Sequence, residues 1–276
     1  MRIALLQMNS GIDPAENAAT MVDAVAEAKA GGATMVFTPE MSGLLDQKRK
    51  RAAAHLTTEG EDSVLAAVRT AAAEHGIWVH IGSLALRAEG DPDRLVNRGF
   101  VIDDKGEIRA RYDKIHLFDV DLDTGESWRE SSTYDAGEQA VIAETPLGPL
   151  GMSVCYDLRF ADLYRALSDA GATLITIPAA FTVPTGKAHW HVLMRARAIE
   201  SAAFVIAAAQ CGHHADGRDT FGHSLVVDPW GEVLLDMGDT LGVGFADIDP
   251  ARLDEVRKRI PVIRHRRPFA APETAG

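Results

Sequence analysis

Three side chains in this sequence have the types needed for nucleophilic catalysis: the thiol of Cys155, the carboxylate of Glu40 and the ammonium of Lys114. A thiol attacks a carbonyl carbon. A carboxylate takes the thiol proton and later hands it to a departing amine, while an ammonium lowers the thiol pKa and steadies an oxyanion. Each of the three stands at the end of a strand-like stretch. Cys155 closes Gly151-Met-Ser-Val, Glu40 closes Val36-Phe-Thr-Pro, and Lys114 follows Arg111-Tyr-Asp beyond a hairpin. A helix-like segment begins at Ala161, so the thiol is expected at a strand-to-helix corner. Free N–H groups and partial positive charge there favour thiolate over thiol. Taken singly, each residue has a plainer reading: a small core cysteine, a loop carboxylate, a solvated lysine. Spacing alone does not show that the three meet.

The elements that must position them alternate strand and helix from the start. Residues 3–8 read as a strand, and Asp13-Pro14-Ala15-Glu16 as a capped helix start with Pro at the first position; Gly31-Gly32 stops that helix. Strand 34–38, helix 63–75 closed by Gly76, and strand 77–84 follow. The second half repeats the order with strand 152–155, helix 161–170, strand 173–177, helix 188–201 and strand 204–209. Each half closes on a hairpin of the form apolar–apolar–Asp–x–x–Gly–Glu–apolar, around Gly106 and around Gly231. Hairpins require antiparallel pairing, so a purely parallel sheet is excluded. The pattern predicts two similar mixed sheets face to face with helices outside, in one domain over residues 1–276. The tail 262–276 has no periodicity and is expected to lie over a neighbour or to fray.

The chain is ordinary for a globular protein, with 46% apolar and 25% charged residues. A formal charge of −12 argues against a nucleic-acid partner. The longest apolar stretch, near residues 202–209, is far too short for a membrane span. The first residues run into a strand pattern without a signal-peptide layout, and Cys155 and Cys211 are too few for a disulfide framework. Together these predict a cytoplasmic protein.

The segments Phe37-Thr-Pro-Glu40, Tyr112-Asp-Lys114-Ile-His116-Leu-Phe and Gly151-Met-Ser-Val-Cys155-Tyr-Asp157 resemble, in order and separation, the three signature motifs of the nitrilase (carbon–nitrogen hydrolase) superfamily. The similarity continues through Ala188-His-Trp190-His-Val-Leu-Met-Arg195-Ala-Arg197-Ala-Ile-Glu200, Ala207-Ala-Ala-Gln210-Cys-Gly and Phe221-Gly222-His223-Ser-Leu-Val-Val-Asp228-Pro-Trp-Gly231, blocks similar to the Nit amidase subgroup. The resemblance covers nearly the whole chain. It implies a four-layer αββα sandwich and a Glu–Lys–Cys triad: Glu40 as general base and acid, Lys114 as oxyanion cation, Cys155 as nucleophile. It further implies Tyr156 N–H in the oxyanion hole, Glu130 as a second active-site glutamate and His116 near the site. The implied substrate is a small ω-amide, deaminated glutathione first and 2-oxoglutaramate next, with nitrile, carbamoyl or acyl-transfer chemistry as other branches. A homodimer or larger assembly is implied as well, with Arg264-His-Arg-Arg267-Pro reaching to a partner subunit.

Arg159 stands where related carbamoylases bind a substrate carboxylate, against the plainer reading of an ion pair with Asp157 or Asp162. Phe181, Thr182 and Thr185 read as a loop at a strand end that shapes the substrate pocket. Lys187 departs from the subgroup pattern, which leaves substrate choice more open than chemistry. His189 and His191 at i, i+2 face different ways and His213-His214 reads as loop, so no metal is expected, and no cofactor. Cys211 is expected as a buried structural thiol, and Arg195 and Arg197 as helix braces. Two other classes compete with an enzyme: a silent scaffold, and a redox-sensing thiol protein.

Overall fold

A computed structural model describes residues 1–121 and 127–274. In chain order its principal elements are β1 (Arg2–Gln7), α1 (Pro14–Ala30), β2 (Met35–Phe37), α2 (Ser63–His75), β3 (Trp78–Ala88), β4 (Asp91–Ile102), β5 (Ile108–Asp113), β6 (Ile142–Thr145) and β7 (Gly148–Met152). Then come α3 (Ala161–Asp169), β8 (Leu174–Thr176), α4 (Val183–Ser201), β9 (Phe204–Ala207), β10 (Leu225–Val227), β11 (Val233–Asp236), β12 (Gly242–Asp247) and α5 (Pro250–Arg259).

One sheet runs β12-β1-β2-β3-β4-β5 and the other β6-β7-β8-β9-β10-β11. Read in those directions, both follow one sequence of pairings: antiparallel, parallel, parallel, antiparallel, antiparallel. The repeat expected from the two hairpins is therefore present. Their turns share one chemistry. The Asp103 carboxylate accepts from Lys105 and Glu107 N–H, and Asp228 accepts from Trp230 and Glu232 N–H. Gly106 and Gly231 each supply the left-handed residue, at φ 77° and 88°.

Strand periodicity explains the layers. Ile3, Leu5, Met35, Phe37 and Val101 point into a core shared with Leu150, Met152, Leu174 and Ile206 of the second sheet. Their neighbours Ala4, Leu6, Val36 and Ile102 face the other way, onto Met21 and Val25 of α1 and Val64 and Val68 of α2. Trp190, Met194 and Ala198 of α4 and Tyr164 of α3 close the outer face of the second sheet. The architecture is the expected αββα sandwich.

Several bounds differ from the sequence reading. The strand leading to Cys155 stops at Met152, and α4 begins at Val183 rather than near residue 188. The sequence reading missed β12 and α5. β12 carries two glycines and lies half-exposed at a sheet edge, and α5 buries only Leu253 and Val256 among charged residues, so neither shows a strong apolar pattern. Within the tail, Arg266 lies over α3 and the end of α4. That guanidinium folds back on its own chain, donating to Ser168 Oγ (3.0 Å) and Glu200 O (3.1 Å) and pairing with Asp169. No helix among the described residues is long and apolar enough to cross a membrane.

Candidate active site

The triad residues leave their strands at one end of the sandwich and meet in the interior. Glu40 lies three residues past β2, Lys114 directly follows β5, and Cys155 opens a 3-10 turn, Cys155–Arg159, after β7. Lys114 is 2% exposed and Glu40 4% exposed, so each charge needs a partner. Lys114 Nζ donates to Glu40 Oε1 at 3.0 Å and to Glu130 Oε2 and Oε1 at 2.8 and 3.1 Å. Ala180 N–H donates to Glu40 Oε2 at 2.9 Å, and Phe118 N–H to Glu130 Oε2 at 2.7 Å. The Cys155 thiol adjoins the Glu40 carboxylate closely enough for each to shift the other's protonation. Glu40 thus stands between ammonium and thiol, and Glu130 joins from the Lys114 side.

The electrostatics fix the resting protons. Burial works against charge on Glu40, but Lys114, the thiol and the Ala180 N–H outweigh it and hold the carboxyl below its usual range. Burial likewise opposes the Lys114 charge, yet Glu130 and Glu40 keep its pKa well above the usual lysine value. Burial and the adjacent Glu40 charge push the Cys155 thiol well above its usual value, against the lesser pull of Lys114. This corrects the expectation of a thiolate. α3 starts only at Ala161, beyond the 3-10 turn, and the single ammonium serves two carboxylates before it serves sulfur. The resting site is thiol, carboxylate and ammonium.

Cys155 has φ 49°, a left-handed conformation that costs a non-glycine residue about 1–3 kcal/mol. Asp157 holds this turn. Fully buried, its carboxylate accepts from Val154 N–H (2.8 Å), Tyr112 Oη (2.7 Å) and His116 N–H (3.0 Å), and His116 Nδ1 lies 2.7 Å away. Cys155 N–H donates to Pro178 O at 2.9 Å, and Arg197 Nε donates to Leu158 O at 2.9 Å. The His116 ring stacks on Phe160 with centroids 3.6 Å apart, and the Tyr156 ring meets Phe118 and Phe160 edge-on.

Arg159 does not pair with Asp157 or Asp162. Among the described residues it has no acidic partner; its guanidinium lies over the Tyr156 and Phe181 rings and its Nη atoms reach His189 Nδ1 at 3.3 and 3.4 Å. Phe181 is buried against Trp190, and Thr182 and Thr185 bond each other at 2.7 Å. These residues are the entry and first turn of α4 rather than an open loop. Lys187 is exposed, and Cys211 is buried as expected. Arg195 and Arg197 act as braces through Gly231 O and Leu158 O. His214 lies in the loop between residues 213 and 219, as expected, but is buried there, with its ring nitrogens on Ser10 O and Thr220 Oγ1.

Two residues of the site escaped the sequence reading. Asn97 on β4 donates through Nδ2 to Glu40 Oε1 (3.0 Å) and Glu130 Oε1 (3.2 Å), and its carbonyl accepts from Lys114 N–H. Both side-chain contacts are to carboxylates, so the NH2 end must face them. The signal was a polar residue inside an apolar strand. Gln210, fully buried, donates to Ser10 Oγ (2.6 Å) and Glu40 O (2.9 Å) and accepts from Ser10 N–H, tying the second half to the backbone of Glu40.

A thiol, a carboxylate and an ammonium buried together at strand ends of an αββα sandwich define a class, and comparison with known proteins agrees. Residues 2–258 match the carbon-nitrogen hydrolase family, and the chain belongs to it. It is 40% identical over 266 residues to the deaminated glutathione amidase of Yersinia enterocolitica, covering 96% of this chain and 92% of the relative. The mouse (Mus musculus) deaminated glutathione amidase is 39% identical over 96% of this chain and 83% of its own. The NitFhit protein of C. elegans superposes with a TM-score of 0.89 at 36% identity, over 96% of this chain and 65% of that one. A Glu-to-Gln mutant of an amidase from Nesterenkonia sp. AN1 (TM-score 0.78, 28% identity, 95% of this chain and 98% of that one) shows the result of Michael addition of acrylamide at the active site cysteine.

Proposed function

We propose that the protein is a thiol amidase that hydrolyses a small ω-amide, with deaminated glutathione the leading substrate. The observation that carries this reading is the Glu40 carboxylate shared between the Lys114 ammonium and the Cys155 thiol in a buried site. As the Cys155 sulfur attacks the amide carbonyl, its proton passes to Glu40. Lys114 Nζ and Tyr156 N–H stabilise the tetrahedral oxyanion. The intermediate collapses as the C–N bond breaks, and Glu40 gives the proton to the departing amine. Water then enters, loses a proton to Glu40 and attacks the thioester, releasing the acid and restoring the thiol.

In this reading Glu130 orients Lys114, and His116 braces the Cys155–Arg159 turn. Arg159, which has no acidic partner among the described residues, receives the substrate's carboxylate beside Phe181, with Thr182 and Thr185 holding that wall. The chain works as one domain in the cytoplasm, as a homodimer or larger assembly. The last point is supported by the exposed apolar side chains Val192 and Ile199 on α4 and Trp230, Val233 and Leu234 on the β10–β11 hairpin.

Intact-protein mass spectrometry after acid quench tests the chemistry. With deaminated glutathione and related ω-amides, the wild type is expected to carry an acyl adduct that Cys155→Ala lacks. Turnover by Cys155→Ala would end the mechanism, and turnover of other ω-amides only would move the substrate while leaving the chemistry in place.

A further inference from the structure

Apart from the triad, the described residues contain one group of three histidine and acidic side chains whose ligand atoms converge: His191, His223 and Asp236, all within 4.8 Å of one another. They come from three separate elements: α4, the segment before β10, and β11. His191 Nε2 lies 2.9 Å from Asp236 Oδ2, and His223 Nδ1 lies 2.8 Å from Asp236 Oδ1. Nothing in the amidase reading uses them.

The group is held in place. His223 has its N–H on Gly238 O (2.7 Å) and its carbonyl on Trp190 Nε1 (2.8 Å), and its ring stacks on Phe221 at 4.4 Å. Asp236 accepts from Gly238 N–H at 2.9 Å.

We propose that His191, His223 and Asp236 form a binding site for a zinc-type divalent cation, with a fourth position open to solvent. Two imidazole nitrogens and one carboxylate oxygen suit zinc in tetrahedral geometry, with bonds of about 2.0–2.2 Å. Such bonds set neighbouring donors roughly 3.3 Å apart. His191 Nε2 and His223 Nδ1 each already lie within 2.9 Å of an Asp236 oxygen, one on Oδ2 and the other on Oδ1, and with all three ligand atoms within 4.8 Å of one another no pair need close by more than about 1.5 Å. His191, with its side chain 38% exposed, is the ring placed to move.

The sequence reading expected no metal because His189 and His191 at i, i+2 face apart, and they do: His189 meets Arg159 and His191 meets Asp236. The ligand set is built across elements instead, which linear spacing does not display. A cation here would fasten α4 to the segment just after Phe221, whose N–H is bonded to Phe181 O at 2.9 Å. The site therefore bears on the wall beside the catalytic turn without touching the triad.

The test is calorimetric titration of metal-free Cys155→Ala protein with zinc chloride, a background that removes the active-site thiol as a competitor. One equivalent is expected to bind, and adding His191→Gln or Asp236→Asn is expected to weaken binding about tenfold or more. Cobalt(II) added to the same protein is expected to give the intense visible absorption of a tetrahedral site, lost in His191→Gln. Circular dichroism checks that each variant is folded. No zinc uptake by the parent, or equal affinity in both folded variants, would overturn the site.

Discussion

At the scale of single residues, the deciding fact is a count of charges. One ammonium faces two carboxylates, so a thiolate at Cys155 would add a further negative charge to a buried pocket. In the proposed mechanism the proton therefore leaves sulfur only as the carbon–sulfur bond forms. Without substrate, alkylation of Cys155 by iodoacetamide at about pH 8 should run at least tenfold slower than for an unperturbed cysteine. It should also show no step at the ordinary thiol value of 9.0. A fast reaction with such a step would mean that the thiolate exists at rest. On the acid side the base of the proposed mechanism is Glu40, whose pKa is depressed. Activity should hold down to pH 4.5 and fall as pH drops through the lower folded value, together with the stability Glu40 contributes above 4.5. Lys114 has the opposite sign: its contribution is complete below 10.5 and fades only at higher pH. The residue types of the triad were legible in the sequence. The protonation states were not, because they depend on Glu130 and on burial, which no spacing encodes.

At the scale of elements, Asp157 does more than its place in a motif suggests. Two backbone N–H groups, a tyrosine hydroxyl and an imidazole nitrogen converge on one carboxylate, and the turn they hold carries Cys155 in its left-handed conformation. Asp157→Ala would strand these donors in the interior. A loss of about 2–4 kcal/mol in urea unfolding is expected, with kcat falling more than KM changes. An unchanged unfolding midpoint would remove Asp157 as the support of the turn. The helix expected from residue 188 begins five residues earlier, and its first turn contains Pro184 and Gly186. Pro is well suited to a helix's first turn, and Gly186 is required by contact: a Cβ there would lie 2.2 Å from the Phe221 ring. Long-range contact, not local propensity, put glycine inside a helix.

At the scale of the molecule, the repeat of two mixed sheets was readable from the paired Asp–x–x–Gly turns, since turn chemistry is local. What joins the sheets was not. His80 of β3 is buried between them, with Nε2 3.3 Å from Thr176 Oγ1 of β8 and Nδ1 without a partner among the described residues. Burial lowers its pKa to about 3. An unfolded histidine takes a proton below 6.5 and the folded one refuses it, so stability must fall as pH drops from 6.5 toward 3. The slope is about 1.4 kcal/mol per pH unit from this residue. Urea unfolding at about pH 7 and pH 5 should show that slope reduced in His80→Gln, and an equal slope in both proteins would remove His80 as its source.

β12 carries a consequence for how the protein comes into being. It pairs along the whole of β1, yet its residues, Gly242–Asp247, are made some 240 positions later. At a synthesis rate of about 5–20 residues per second, β1 waits roughly 12–48 s for its edge partner. During that time the ribosome holds out a first half whose apolar strand is unpaired on one side, the kind of edge that recruits other strands. The chain should therefore depend on a chaperone, or on tight docking of α1 and α2, to reach residue 247 without aggregating. Its first half is not a unit to be expressed alone.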